Sequence, residues 1–149
     1  ETSGHAAMRE NYFLDDGAYL CTKIIIKAAQ MRKEGKELDE LTASLKEPLE
    51  STEIRYKILE KDFRACGEKI IADLTKYAEE QDGWCVADDN REGVRVPFDR
   101  DNGDGWFLLR LSVHDPIMPL NVESDSEGGV KIICDKLGEF LKTTTGLDL

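Results

Sequence analysis

The chain has 149 residues, 40% of them hydrophobic and 34% charged, with a formal net charge of −11. That balance suits a globular protein of one domain or two small ones. Its acidic sign argues against nucleic acid or an anionic membrane as partner, since both demand a basic face, but a few local arginines can still hold a small anion.

No apolar run has the length of a membrane helix; the longest, around Ile24-Ile25-Ile26, is cut by Lys23 and Lys27. No basic stretch followed by an apolar one marks a secretory signal. The chain opens on Glu1-Thr2-Ser3-Gly4-His5, which looks more like a binding loop than a terminus. Asp15-Asp16-Gly17 then precede "AYLCTKIIIKAAQMRKEG". Aspartates in the first turn, late Lys27, Arg32 and Lys33, and a stop at Gly35 predict a helix. Apolar residues cover most of its circumference, so it is expected to be buried by more than one neighbour. "LDELTASLKEP" places Leu38, Leu41 and Leu45 on one face of a second helix, which Pro48 stops. "PLESTE" follows as a linker.

From there the periodicity changes. "EIRYKIL" alternates, with Ile54, Tyr56 and Ile58 on one side of a half-buried strand. Phe63, Cys66, Ile70, Leu74 and Tyr77 recur at helical steps. "WCVAD", "GVRVPF", "GWFLLRLS" and "PIMPLNVES" are strand candidates, the last an edge strand because it holds two prolines. "DRDNGDG" is the turn of a hairpin. Val130, Ile133, Leu137 and Phe140 or Leu141 share one face of a final helix. The expectation is an α+β domain, a mostly antiparallel sheet with two helices on one face, over residues 48–149. Residues 1–47 form two helices without a sheet, the remnant of a larger α/β domain.

The chemistry is sparse. The four cysteines, Cys21, Cys66, Cys85 and Cys134, are not closely spaced and fit reduced core thiols of an intracellular protein. "DRDNGDG" does not fit an EF-hand: counted from Asp99, Asp104 falls sixth, where glycine is needed. His5 and His114 each neighbour serine and an acid, but adjacency supplies neither triad geometry nor an oxyanion hole. "LLRLSVHDP" says more. On a strand, Arg110, Ser112 and His114 point one way, delivering a guanidinium, a hydroxyl and an imidazole to one edge before Pro116. That set suits an anion, and Arg95 could add a second charge. The N-terminus of the final helix, around Ser124–Gly129, is the competing anion site.

"ETSGH" followed by "NYFLDDG" resembles the sugar-binding loop of the α-D-phosphohexomutases, the phosphoglucomutase and phosphomannomutase family. "EGVRV" and "DGWFLLRLSVHDP" resemble the same family's last domain, where an Arg-x-Ser loop ending in Pro binds the substrate phosphate. The two motifs together span the whole chain in the family's order. The resemblance implies a C-terminal piece: the end of the third domain and all of the fourth, a TATA-binding-protein-like α+β unit. It implies that Glu1 and Ser3 read sugar hydroxyls, with Gly4 allowing close approach, and that His5 assists proton transfer. Arg110, Ser112, Val113, His114 and Asp115 would form the phosphate loop. The reaction implied interconverts hexose 1- and 6-phosphates through a bisphosphate, in a cytoplasmic enzyme whose missing N-terminal domains carry the phosphoserine and the Mg2+ site. Val113-His114-Asp115 departs from the family's Asn-Thr-Glu or Gly-Thr-Glu pattern, which leaves a non-catalytic sugar-phosphate or protein binding relative as the alternative.

Overall fold

A computed structural model describes residues 5–88, 90 and 92–149. Glu1, Ser3 and Gly4 lie outside the described residues. The chain divides into two compact units, residues 1–46 and 47–149.

In the first unit, α1 spans Gly17–Lys33. Asp16 caps it, accepting from the Tyr19 amide at 3.0 Å, and the cap explains why the helix starts at a glycine. The expected burial on several sides is not met. Met31 is the one buried hydrophobic residue of α1, while Ile24, Ile25 and Ile26 are exposed. A helix apolar all round needs more partners than this unit supplies. The second predicted helix is also corrected. Leu38–Leu41 makes a short 3-10 turn, closed by a reciprocal pair in which Glu37 and Glu40 side chains bond each other's backbone. Leu38, Leu41 and Leu45 stay exposed, so little burial supports a longer helix.

The second unit is α+β. Its five strands are β1 (Glu50–Ile58), β2 (Val94–Phe98), β3 (Gly105–Leu109), β4 (Ile117–Ser124) and β5 (Leu147–Asp148). They form one sheet in the order β2-β3-β4-β1-β5, every pair antiparallel. Helices α2 (Phe63–Glu80) and α3 (Gly129–Thr143) contact the sheet and share one core with it. Val94, Val96, Phe107, Leu109, Met118, Leu120 and Val122 from the sheet meet Ile70, Leu74, Ile133 and Leu137 from the helices, all buried. The alternation read in "EIRYKIL" holds along β1, and its polar start belongs to the strand rather than to a linker.

Two strand expectations are corrected. β4 is central, flanked by β3 and β1, although it contains Pro119. Pro119 stands opposite Arg110 in register, one residue past the end of β3. Its carbonyl accepts from the Arg110 amide at 3.1 Å, so the missing N–H falls where the regular ladder has already ended. The second correction is "WCVAD", which forms no strand. Ala87 donates one backbone hydrogen bond to Arg95, and the segment is placed by Trp84. That ring packs edge-on against Phe98, Phe107 and Tyr77, with centroids 5.3, 5.6 and 5.7 Å away.

The cysteines differ from the core-thiol expectation: Cys21 and Cys85 are exposed, while Cys66 and Cys134 are half-buried, and none is in a disulfide. Burial pushes the Cys66 and Cys134 thiols above their usual range. Among the described residues no helix is long and apolar enough to cross a membrane.

Candidate functional site

Two clusters of chemistry-bearing side chains stand out, one in each unit. In the first, His5 Nδ1 lies 2.6 Å from the Asp15 carboxylate. Ten residues separate them, and the chain must turn back to bring them together. Ala7 and Asp15 pair across a short antiparallel bridge. Between them Arg9–Asn11 forms a 3-10 turn, and Tyr12 and Phe13 both adopt left-handed backbone, φ 54° and 55°. Phe13 donates to the Met8 carbonyl at 3.0 Å and Leu14 to that of Asn11 at 3.0 Å. Asp16 is tied down by the Asn11 amide at 3.3 Å and by its capping bond. The Tyr19 amide, first, holds the Asp16 carboxyl below the usual range.

The second cluster is the segment after β3. Arg110, Ser112 and His114 were expected on one strand, but β3 ends at Leu109. Backbone bonds from Arg110 to Pro119 and from Ser112 to Ile117 hold the segment in line for two further rungs, 3.1 and 3.0 Å. A turn follows in which the Ser112 hydroxyl accepts from the Asp115 amide at 3.3 Å. Val113, His114 and Asp115 are exposed on it. Arg64, in the first turn of α2, donates to the Val113 carbonyl at 3.5 Å.

Arg110 is seated by a glycine. A Cβ on Gly93 would lie 2.1 Å from the Leu109 carbonyl and 2.9 Å from the Arg110 Cβ, and Gly93 has φ +69°. Only glycine allows that approach. On the same sheet face, Arg55 and then Asn121 hold the Glu53 carboxyl below its usual range, with a smaller pull from Arg110. Arg95 does not converge on the loop as expected. Its guanidinium stacks 4.8 Å from the Trp106 ring.

The competing anion site is already filled from within the chain. Glu50, the first residue of β1, accepts from the Gly128 amide at 2.8 Å and the Val130 amide at 3.1 Å. A carboxylate therefore sits where an anion would bind the start of α3. A cleft of 580 Å³ lined by Glu60, Asp62, Asp73 and Lys69 is no better suited to phosphate, because Lys69 is paired with Asp73 at 2.6 Å. Among the described residues no three His, Cys, Asp or Glu side chains gather to hold a metal ion.

Sequence reasoning placed His5, Arg110 and Ser112 in candidate sites but missed Asp15 as a partner of His5 and Arg64 as a contact of the loop. Asp15 was legible as a helix-start residue and as part of "NYFLDDG", but not as a partner of His5. Arg64 carries no local signal, since its contact lies 49 residues away.

The second unit is thus an antiparallel sheet backed by two helices, with a short Arg-x-Ser loop leaving β3. No family model matches the chain. It is 26% identical over 148 residues to the phosphoglucomutase of Neisseria gonorrhoeae, covering 99% of this chain and 29% of that protein. It is 27% identical over 128 residues to the phosphomannomutase/phosphoglucomutase of Pseudomonas aeruginosa, covering 85% of this chain and 25% of that one. A solved phosphoglucomutase/phosphomannomutase family protein from Burkholderia thailandensis superposes with a TM-score of 0.63 at 25% identity, over 99% of this chain and 28% of its own. The chain is thus similar along nearly its whole length to phosphoglucomutase/phosphomannomutase proteins, and it spans less than a third of the proteins it matches.

Proposed function

We propose that this chain is the C-terminal sugar- and phosphate-binding part of a phosphohexomutase that interconverts hexose 1-phosphate and 6-phosphate through a bisphosphate intermediate. The observation that carries the proposal is the similarity to phosphoglucomutases over 99% of the chain, with the Arg110–Asp115 loop at the end of β3. Glu1, Ser3 and Gly4 would read the sugar, His5 would sit at its reacting end, and Arg110 with Ser112 would hold the phosphate that does not move. A guanidinium matches phosphate with two parallel donors, and a hydroxyl adds a third that can rotate. The phosphoserine and the magnesium ion would be supplied by domains outside these residues, in a cytoplasmic enzyme.

The test has two arms. The full-length protein should convert glucose 1-phosphate or mannose 1-phosphate in a coupled assay with magnesium. The 149-residue chain should give no turnover above a blank. Binding of hexose phosphate by a full-length protein that turns over neither substrate would replace this reading with that of a non-catalytic binding relative. The exposed, apolar Val113 and the acidic Asp115 in the loop favour that second reading.

A further inference from the structure

We propose that Asp15 is the positioning residue for His5, holding its imidazole as the Nδ1–H tautomer with the Nε2 lone pair directed away from the carboxylate. The inference deepens the proposed function and rests on it for the role of His5. Three observations carry it. The contact itself is short, 2.6 Å from Nδ1 to the carboxylate oxygen. The backbone of Asp15 is pinned by its bridge to Ala7, and the next residue is pinned by its capping bond to Tyr19. Finally, the turn between the partners uses two consecutive non-glycine residues in left-handed backbone, Tyr12 and Phe13. Their side chains are 87% and 64% exposed, so no core packing in this unit accounts for that conformation. Backbone held in a costly region at the surface marks a segment shaped for placement rather than for burial.

A neutral imidazole donates from one nitrogen and accepts at the other, and the partner of the first decides which is which. With Nδ1–H given to Asp15, Nε2 is the base. As a substrate hydroxyl oxygen bonds to phosphorus, its proton passes to Nε2, and the oxygen of the phosphoserine donor leaves with the electron pair of the broken O–P bond. The imidazolium formed is paired with the Asp15 carboxylate. In the reverse direction Nε2 returns the proton.

The chain contains only two histidines, so nitrogen-15 NMR can read the ring directly, with His114→Gln assigning the signals. At a pH where the ring is neutral, His5 should be the Nδ1–H form in the wild-type chain and mainly the Nε2–H form in Asp15→Ala. Asp15→Asn, which keeps an accepting oxygen, should retain part of the Nδ1–H form. Unchanged amide signals from α1, in the same unit, would show that the variants fold. In the full-length enzyme, Asp15→Ala should lower kcat by about tenfold to a hundredfold with KM little changed, as loss of an orienting partner does elsewhere. An Nε2–H ring in the wild-type chain overturns the pairing. A tautomer that responds to Asp15 while kcat does not would keep the pairing and overturn the part assigned to His5, and with it the positioning role.

Discussion

Arg110 is the residue on which the phosphate reading depends, and its surroundings explain why. It follows directly on a strand, its amide is fixed to Pro119, and its Cβ rests in a space that only Gly93 leaves open. In a chain of net charge −11, a phosphate site needs a local exception of this kind. A charge-assisted contact to a guanidinium contributes roughly 1.5–3 kcal/mol. Arg110→Ala should therefore weaken hexose-phosphate binding by the full-length protein about tenfold or more, whereas Arg32→Ala should leave it unchanged. Calorimetric titration of both variants checks this, and equal affinities would remove Arg110 from the site. The loop around it was legible because residue types and spacing are local properties. Its support was not: Gly93, Arg64 and Pro119 reach it only through the fold. The same holds for Asp15, whose meeting with His5 depends on a turn that hydrophobic periodicity cannot show.

Among the elements, α3 and α1 begin in different ways, and each start makes a prediction. Gly128 has no side chain to cap α3, so Glu50 does so from a strand 78 residues earlier. The two hydrogen bonds and the negative charge at the helix start both favour the folded state. Glu50→Ala should cost about 1–2 kcal/mol in urea unfolding followed by Trp84 and Trp106 fluorescence, and Glu50→Gln should cost less. A neutral Glu50→Ala would reduce the contact to coincidence. At α1 the cap is Asp16, whose folded carboxyl lies below its ordinary value. The sign follows directly. The cap's contribution is fully present above the ordinary carboxylate range and is lost as pH falls through the folded value. Helix α1 should therefore fray on acidification in amide NMR, and Asp16→Asn should remove most of that pH dependence. The elements with a clean period, β1, α2 and α3, were readable because each has one buried face. Helix α1 was misjudged because apolar composition was read as burial, while residues 5–46 cover little more than Met31, and "WCVAD" because one large ring outweighed its strand-like composition.

Taken as a whole, the molecule joins units of unequal self-sufficiency. The second unit has a continuous core from sheet to helices. The first buries Met31 and leaves Ile24, Ile25, Ile26, Leu41 and Leu45 exposed. Few buried apolar contacts mean a small free energy of opening. Hydrogen exchange should find the amides of α1 exchanging well before those of β3, β4 and α3. Equal protection in a strictly monomeric sample would contradict this. The sheet order carries one more consequence, for time rather than structure. Strands β2, β3 and β4 are neighbours in sequence as well as in space, so their hairpins close short loops. Strand β1 pairs with β4, where Lys57 meets Ile117, and with β5, where Ile58 meets Leu147. The first strand of this unit therefore waits for nearly the last residues before both its edges are satisfied. Long closures of that kind set the pace of folding. During synthesis β1 would be made before either of its partners and would keep an open edge until Leu147 had followed.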